Sequence, residues 1–188
     1  MKMMRIFTGI ALSDEVREKI LKESKPFRKA GTPMRWTAAE NVHLTLKFIG
    51  EVDEPLAGRV AEALPRPPAL PPFVLRARGF GKFPAGDELH VLWAGVEASQ
   101  PLQSLYAGVE AALEPLGISR DSRPFHPHIT LGRNKVRYNF KGLLALLEGK
   151  TDLFFGEWRV AAYRLFSSRL LPAGPVYTVL KEIALVQS

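Results

Sequence analysis

Two short segments of this chain share one pattern, and that pattern limits the folds open to it. Val42-His43-Leu44-Thr45-Leu46 and Pro127-His128-Ile129-Thr130-Leu131 both read His-apolar-Thr-Leu, with the histidines 128 − 43 = 85 positions apart. Side chains alternate faces along a β-strand. His43 and Thr45 therefore share one face, while Val42, Leu44, Leu46 and Phe48 share the other. In the second segment His128 and Thr130 stand against Ile129 and Leu131. An apolar face needs a core, so each segment predicts a strand with one buried side and one polar side. A single His-x-Thr in a strand is ordinarily a solvated or hydrogen-bonded surface pair. The second copy, with the same flanks, points to a shared task.

The rest of the chain supplies elements to pack around these strands. At 188 residues it has enough material for one good core and too little for two ordinary domains. Arg5 to Leu12 is strand-like. Ser13 can cap a helix that carries Asp14 and Glu15 at its start and is limited by Pro26. Val42 to Ile49 is a strand closed by Gly50, and Pro55 fits the first turn of a short helix with Leu56, Val60 and Leu64. Five prolines within residues 65 to 72 predict a stiff extended connector. Phe73 to Arg78 and Leu89 to Ala94 read as strands, with Gly79-Phe80-Gly81-Lys82-Phe83-Pro84 as the hairpin connection between them. Leu102, Leu105, Tyr106, Val109, Leu113 and Leu116 repeat at helical spacing, and Gly117 ends the run. Phe125 to Leu131 is a strand, Leu143, Leu144 and Leu147 mark another helix, and two strands near Trp158 to Phe166 and Tyr177 to Val186 close the chain. The irregular alternation gives α+β with largely antiparallel pairing.

Composition excludes several kinds of chemistry. The chain has no cysteine, so disulfides, thiolate metal sites and cysteine nucleophiles are ruled out. Neither motif contains a carboxylate, which makes two histidines a poor zinc set. Threonine hydroxyls are poor zinc ligands and good donors to phosphate oxygens. Lys plus Arg is 26 against 19 for Asp plus Glu, a net charge of +7 that favours polyanionic partners. No apolar run approaches the ~20 residues of a membrane span, and the amino-terminal run reads as a strand, so a cytoplasmic location is expected.

The residues as a set resemble the two-histidine phosphoesterases, and within them the RNA 2′,3′-cyclic phosphodiesterases, also called 2′-5′ RNA ligases. The resemblance runs through Arg5-Ile6-Phe7, Arg35-Trp36, and Glu40-Asn41-Val42-His43-Leu44-Thr45-Leu46-Lys47-Phe48-Ile49-Gly50-Glu51. It continues in Gly79-Phe80-Gly81, Phe83-Pro84, Leu92-Trp93 and Phe125-His126-Pro127-His128-Ile129-Thr130-Leu131-Gly132-Arg133. It implies a bilobal, pseudo-twofold symmetric α+β fold: two antiparallel sheets backed by helices, with a central cleft between the motifs. Residues 1–188 would form one domain of two interleaved lobes.

Opening a cyclic phosphate by in-line attack of water needs a base on one side of phosphorus and an acid on the other. Two imidazoles with ordinary pKa values of about 6.5 can supply both. Thr45 and Thr130 can donate to the non-bridging oxygens, where charge builds in the transition state. The resemblance implies that His43 is the proton donor, His128 the proton acceptor, and Arg133 a phosphate ligand. Simple alternation puts Arg133 on the face opposite His128, and Gly132 could supply a bulge or a strand end that re-aims it. Lys47 has the parity of His43 and reads as a solvated lysine. Phe48 has core parity. Trp36 is the leading candidate for stacking on a base, with Trp93 behind it. His90 and His126 read as partly exposed or locally hydrogen-bonded side chains. The expected partner is RNA with a 2′,3′-cyclic phosphate end, handled by a monomer with no metal, cofactor or membrane. The alternatives are ATP-independent 2′-5′ ligation, a binding module without turnover, and action on an ADP-ribose cyclic phosphate.

Overall fold

The computed structural model describes residues 3–64, 70–84, 88–172 and 174–186. Residues 65–69 of the proline-rich connector lie outside the described residues. Along the chain run β1 (Met3–Ala11), α1 (Asp14–Lys29), β2 (Arg35–Trp36), β3 (His43–Asp53), α2 (Glu54–Ala63), β4 (Phe73–Phe83) and β5 (Val91–Val96). Then follow α3 (Gln100–Leu113), β6 (His128–Arg133), α4 (Lys141–Glu148), β7 (Phe154–Val160), β8 (Ala162–Leu171) and β9 (Gly174–Ala184). No described helix is long and apolar enough to cross a membrane.

The helix ends follow from local chemistry. Ser13 accepts a hydrogen bond from the Val16 amide, Asp53 from Leu56 and Ser99 from Leu102, so three helices start on side-chain caps. Pro55 and Pro101 stand in first turns, where a missing N–H costs nothing. The expected stop at Pro26 is not observed. α1 continues to Lys29 because Phe27, fully buried, anchors its last turn in the core.

The strands form one antiparallel sheet in the order β7-β4-β5-β6-β3-β1-β8-β9, with β2 added beside β6. The sheet is strongly curled. Two separate sheets were the expectation; instead the halves β7-β4-β5-β6 and β3-β1-β8-β9 are joined where β3 meets β6. The junction is the pair Leu44↔Ile129. Each of these residues follows a motif histidine, so the antiparallel junction carries a local twofold that exchanges the two motifs. Both residues are completely buried in the core, with Ile6, Ile10, Leu92 and Ala94. That core is covered by the helices: α1 packs on β7 and α4, α2 on β1 and β3, α3 on β3.

Three further boundaries differ from the sequence reading. The glycine-rich stretch at residues 79–83 lies inside β4 and is not the hairpin turn. Gly79, at φ +71°, marks a register shift between Ala77 and Phe80 that absorbs the irregularity within the strand. The closing segment makes three strands, because a break at Ala161 separates β7 from β8. Residues 125–127 belong to the approach to β6.

Candidate active site

Four motif side chains project from the face of the sheet opposite Leu44 and Ile129: His43 and Thr45 on β3, His128 and Thr130 on β6. Residues 43–48 and 128–133 have the same sequence of burial, half-buried and buried in turn, then two buried residues and an exposed one. The last two positions break simple alternation for the same reason in both strands. Along β3 the partners on β1 step from Gly9↔Thr45 to Thr8↔Lys47, which leaves Leu46 as an extra residue. Along β6 the partners on β5 step from Trp93↔Thr130 to Leu92↔Gly132, which leaves Leu131 extra. Each motif leucine is thus a β-bulge, and each bulge inverts the faces beyond it.

The bulge in β6 turns Arg133 onto the cleft face, where it pairs with Val91 of β5 and Arg35 of β2. The bulge in β3 moves Lys47 into the interior and Phe48 out, the reverse of what strand parity alone predicts. Lys47 is 2% exposed and Phe48 47% exposed. Trp36 is not brought to the cleft. It pairs with Gly132, whose neighbour across β5 is the buried Leu92, and its ring packs on the core face with the Arg28 guanidinium 4.9 Å from its centre.

The two imidazoles are held alike. His43 Nδ1 donates to the Asn41 carbonyl at 2.7 Å, and His128 Nδ1 donates to the His126 carbonyl at 2.7 Å. Asn41 is fixed in turn by its side-chain amide, which donates to the Pro175 carbonyl. With the proton on Nδ1, each neutral ring presents the Nε2 lone pair to the cleft. At His43 that nitrogen lies 2.9 Å from Thr45 Oγ1. Burial is the main force holding His43 below the ordinary histidine pKa; the Asn41 carbonyl opposes it and Arg133 adds to it. His128 is lowered too, first by burial, against the His126 carbonyl, and then by the positive fields of His126 and Arg133. Arg133 therefore acts on both rings.

Each ring stands against aromatic walls that the sequence reading did not assemble. His43 lies on Phe7 with centroids 4.9 Å apart and meets the edge of Tyr177 at 5.5 Å. Burial raises the Tyr177 hydroxyl, against the pull of Arg133 and Arg5. His128 meets Phe83 edge-on at 5.1 Å, and Trp93 lies 6.3 Å away. Trp93 lies across β4 because residue 81 is glycine; a Cβ there would fall 2.1 Å from the indole. The His126 ring also touches Phe83 and Trp93. His90 is exposed, pairs with Glu88 at 3.5 Å, and lines a recess of about 550 Å³ with Asn134 and Arg137. The signal that could have found Tyr177 and Phe83 is strand pairing at long range, which periodicity does not carry.

Two imidazoles held alike through Nδ1, a threonine two residues beyond each on the same face, and a shared arginine make a site for acid–base work on an anion. Residues 14–169 match the 2′-5′ RNA ligase superfamily. The chain belongs to that superfamily. Its relatives are named RNA 2′,3′-cyclic phosphodiesterase across most of the chain's length. The protein of that name from Methanocaldococcus jannaschii is 32% identical over 95% of this chain and 99% of its own. The one from Thermotoga maritima is 37% identical over 95% of this chain and 94% of its own. Among solved structures, a protein from Thermus thermophilus superposes with a TM-score of 0.81 at 33% identity, covering 97% of this chain and 98% of that one. E. coli LigT, crystallised with 3′-AMP, superposes with a TM-score of 0.77 at 28% identity, covering 99% of this chain and all of LigT.

Proposed function

We propose that this protein hydrolyses RNA 2′,3′-cyclic phosphate ends to 2′-phosphates by general acid–base catalysis with His43 and His128. The observation that carries the reading is the duplicated imidazole lock: two rings on one sheet face, each held through Nδ1 by a carbonyl two residues back. The two interleaved lobes of one domain, residues 1–188, each supply one motif to the cleft. His128 Nε2 takes the proton of a water whose oxygen attacks phosphorus opposite O3′. The P–O3′ bond breaks, and His43 Nε2–H gives its proton to the leaving oxygen. The product is a 2′-phosphomonoester with a free 3′-hydroxyl, and exchange with solvent resets both rings.

Thr45 and Thr130 donate to the non-bridging oxygens, and Arg133 offsets the charge that builds there. In the empty cleft burial, and to a smaller extent the field of Arg133, favour the neutral His43 ring, against the Asn41 carbonyl. A bound phosphate anion offsets the field of Arg133 and its own charge favours the imidazolium, so substrate binding shifts His43 toward the protonated form. Trp93, whose indole N–H has no partner among the described residues, lines the wall beside His128 and takes over the base-stacking role first expected of Trp36.

The test is digestion of an oligonucleotide ending in a 2′,3′-cyclic phosphate, with the product compared by phosphorus NMR against authentic 2′- and 3′-phosphates. The expected product is the 2′-phosphate. A dominant 3′-phosphate would mean that the two imidazoles have exchanged roles or that the substrate lies reversed in the cleft. No opening of the ring would remove the proposal. A 5′-hydroxyl oligonucleotide in a parallel reaction reads out ligation, in which the 5′-oxygen replaces water in attacking phosphorus and the same P–O3′ bond breaks.

A further inference from the structure

The bulge that turns Phe48 into the cleft turns Lys47 beneath the sheet. A buried ammonium is costly unless it is paired and hydrogen-bonded. Lys47 Nζ lies 2.8 Å from Glu110 Oε1 on α3, 2.9 Å from Asp121 Oδ1, and 2.8 Å from the Ser119 carbonyl. Glu110 is buried as well, and its other oxygen accepts from the Asp121 amide at 3.2 Å. Tyr106, one helical turn before Glu110, joins the cluster. Desolvation, then Glu110 and Asp121, push its hydroxyl up to about 12. The Tyr106 ring lies flat on Phe125, with centroids 4.2 Å apart.

These contacts fall on one stretch of chain. Residues 117–127 contain neither helix nor strand and lead directly into β6. Ser119 and Asp121 are held by Lys47, Phe125 by Tyr106, and Pro127 by the Val96 amide, which donates to its carbonyl at 3.2 Å. The stretch carries the His126 carbonyl, which holds His128 Nδ1. Lys47 itself stands two residues after Thr45. An ion pair at this depth is a weak choice for stability alone, since apolar residues of similar volume often do as well. Two hydrogen bonds, to the Ser119 carbonyl and to Asp121, beside an ion pair with Glu110 do what apolar packing cannot: they fix where the far segment lies relative to β3.

We propose that Lys47 is a positioning residue. With Glu110 and Asp121 it ties the strand of the first histidine to the segment that holds the second, and thereby sets the tautomer and reach of His128. The inference rests on the reading of His128 as the catalytic base. The charged and titratable groups facing His128 are His126 and Arg133. Those facing Lys47 are Glu110 and Asp121, with Tyr106 behind them; Arg120 is engaged by Glu114 at 2.9 Å.

The test uses Asp121→Asn and Lys47→Met. Asp121 is half exposed, so Asp121→Asn leaves the buried Lys47–Glu110 pair and the fold in place while weakening the tether. Nitrogen NMR of the histidine rings reads the tautomer of His128 without any need for turnover. In the unaltered protein the Nδ1-protonated form should dominate. In Asp121→Asn the other tautomer should appear, and His128 should titrate at lower pH, because the carbonyl bond that raises it is weakened. kcat should fall by about 10-fold, the scale expected when a reacting group is displaced by a fraction of an ångström, with KM little changed. Lys47→Met should show the same changes more strongly where it folds. A His128 tautomer, titration and kcat unchanged in Asp121→Asn would overturn the proposal, whatever Lys47→Met does. Failure of the unaltered protein to open cyclic phosphates would strike the proposed function instead and leave the NMR comparison to judge Lys47.

Discussion

Gly9 is a position where a single added carbon should disturb the cleft without removing a titratable group. It pairs with Thr45 across β1 and β3, two residues from the pair Ala11↔His43. A Cβ at Gly9 would lie 2.8 Å from the Leu44 carbonyl oxygen and 3.1 Å from His43 Cδ2. The carbonyl is backbone and cannot rotate aside. Ordinary contact begins near 3.4 Å, so Gly9→Ala must open the β1–β3 seam by 3.4 − 2.8, about 0.6 Å. β3 joins β6 through the pair Leu44↔Ile129, so the opening shifts His43 and Thr45 relative to His128. A misplacement of about 1 Å can cost about 100-fold, so roughly 10-fold in kcat is expected here. The overpacking should also cost about 1–3 kcal/mol of stability. The assay is steady-state hydrolysis of a 2′,3′-cyclic phosphate substrate well below the variant's Tm. Gly58→Ala is the control: nothing lies within 4 Å of its Cβ position in α2, so turnover should hold and Tm should rise. A folded Gly9→Ala protein with kcat within about twofold of the parent would refute the claim that the seam sets the dyad.

Replacing His43 or His128 by alanine should lower turnover by about 10²–10⁴, the usual contribution of a lost acid or base, whereas His90→Ala should leave it near the parent value. Because burial and Arg133 lower both rings from about 6.5, the kcat/KM profile should be a bell displaced to the acid side of that value, with limbs that belong to the coupled pair. The bound anion offsets Arg133, so the alkaline limb of kcat should lie at higher pH than that of kcat/KM; coincident limbs would contradict the role given to Arg133. Activity should persist after exhaustive chelation, and loss that is reversed by zinc or magnesium would overturn the mechanism.

The motif histidines and threonines were legible in the sequence because strand periodicity needs no information beyond the chain itself. His43, Thr45, His128 and Thr130 share one face, as their spacing requires. Periodicity failed one residue later. A bulge at Leu46 is invisible to a count of two, so Lys47 read as solvated and Phe48 as core when each is the opposite. At Gly132 the need for a bulge could be argued, because Arg133 otherwise points away from the phosphate. Its location at Leu131 emerged from the register with β5. Trp36 misled for a different reason: a tryptophan beside a motif looks like a ligand contact, yet its partner Gly132 lies past the bulge, on the core face. Phe7, Phe83 and Tyr177 reach the imidazoles through pairings across the sheet, which no local pattern records.

The junction between β3 and β6 makes the two histidines near equivalents, so the dyad alone cannot tell O2′ from O3′. The strands beside it are not equivalent, and their registers can be matched pair for pair. Ala11↔His43 corresponds to Gly95↔His128, and Gly9↔Thr45 to Trp93↔Thr130. Beyond the bulges, Phe7↔Phe48 corresponds to Val91↔Arg133. One side of the cleft therefore offers a glycine and an exposed phenylalanine where the other offers an indole and a guanidinium. The anion is drawn toward the arginine. The flat apolar parts of the substrate can stack on the indole beside it, while the seam at Gly9 lets β1 lie close against the first histidine. A substrate turned end for end would exchange these contacts: its phosphate would lose Arg133 and lie toward Phe48, whose ring holds the Arg5 guanidinium at 4.6 Å, and its flat parts would lose the indole. On the proposed mechanism, two nearly equivalent halves would obtain a single direction of reaction from two differences between their neighbours, one at the strand partner of the threonine and one just past the bulge.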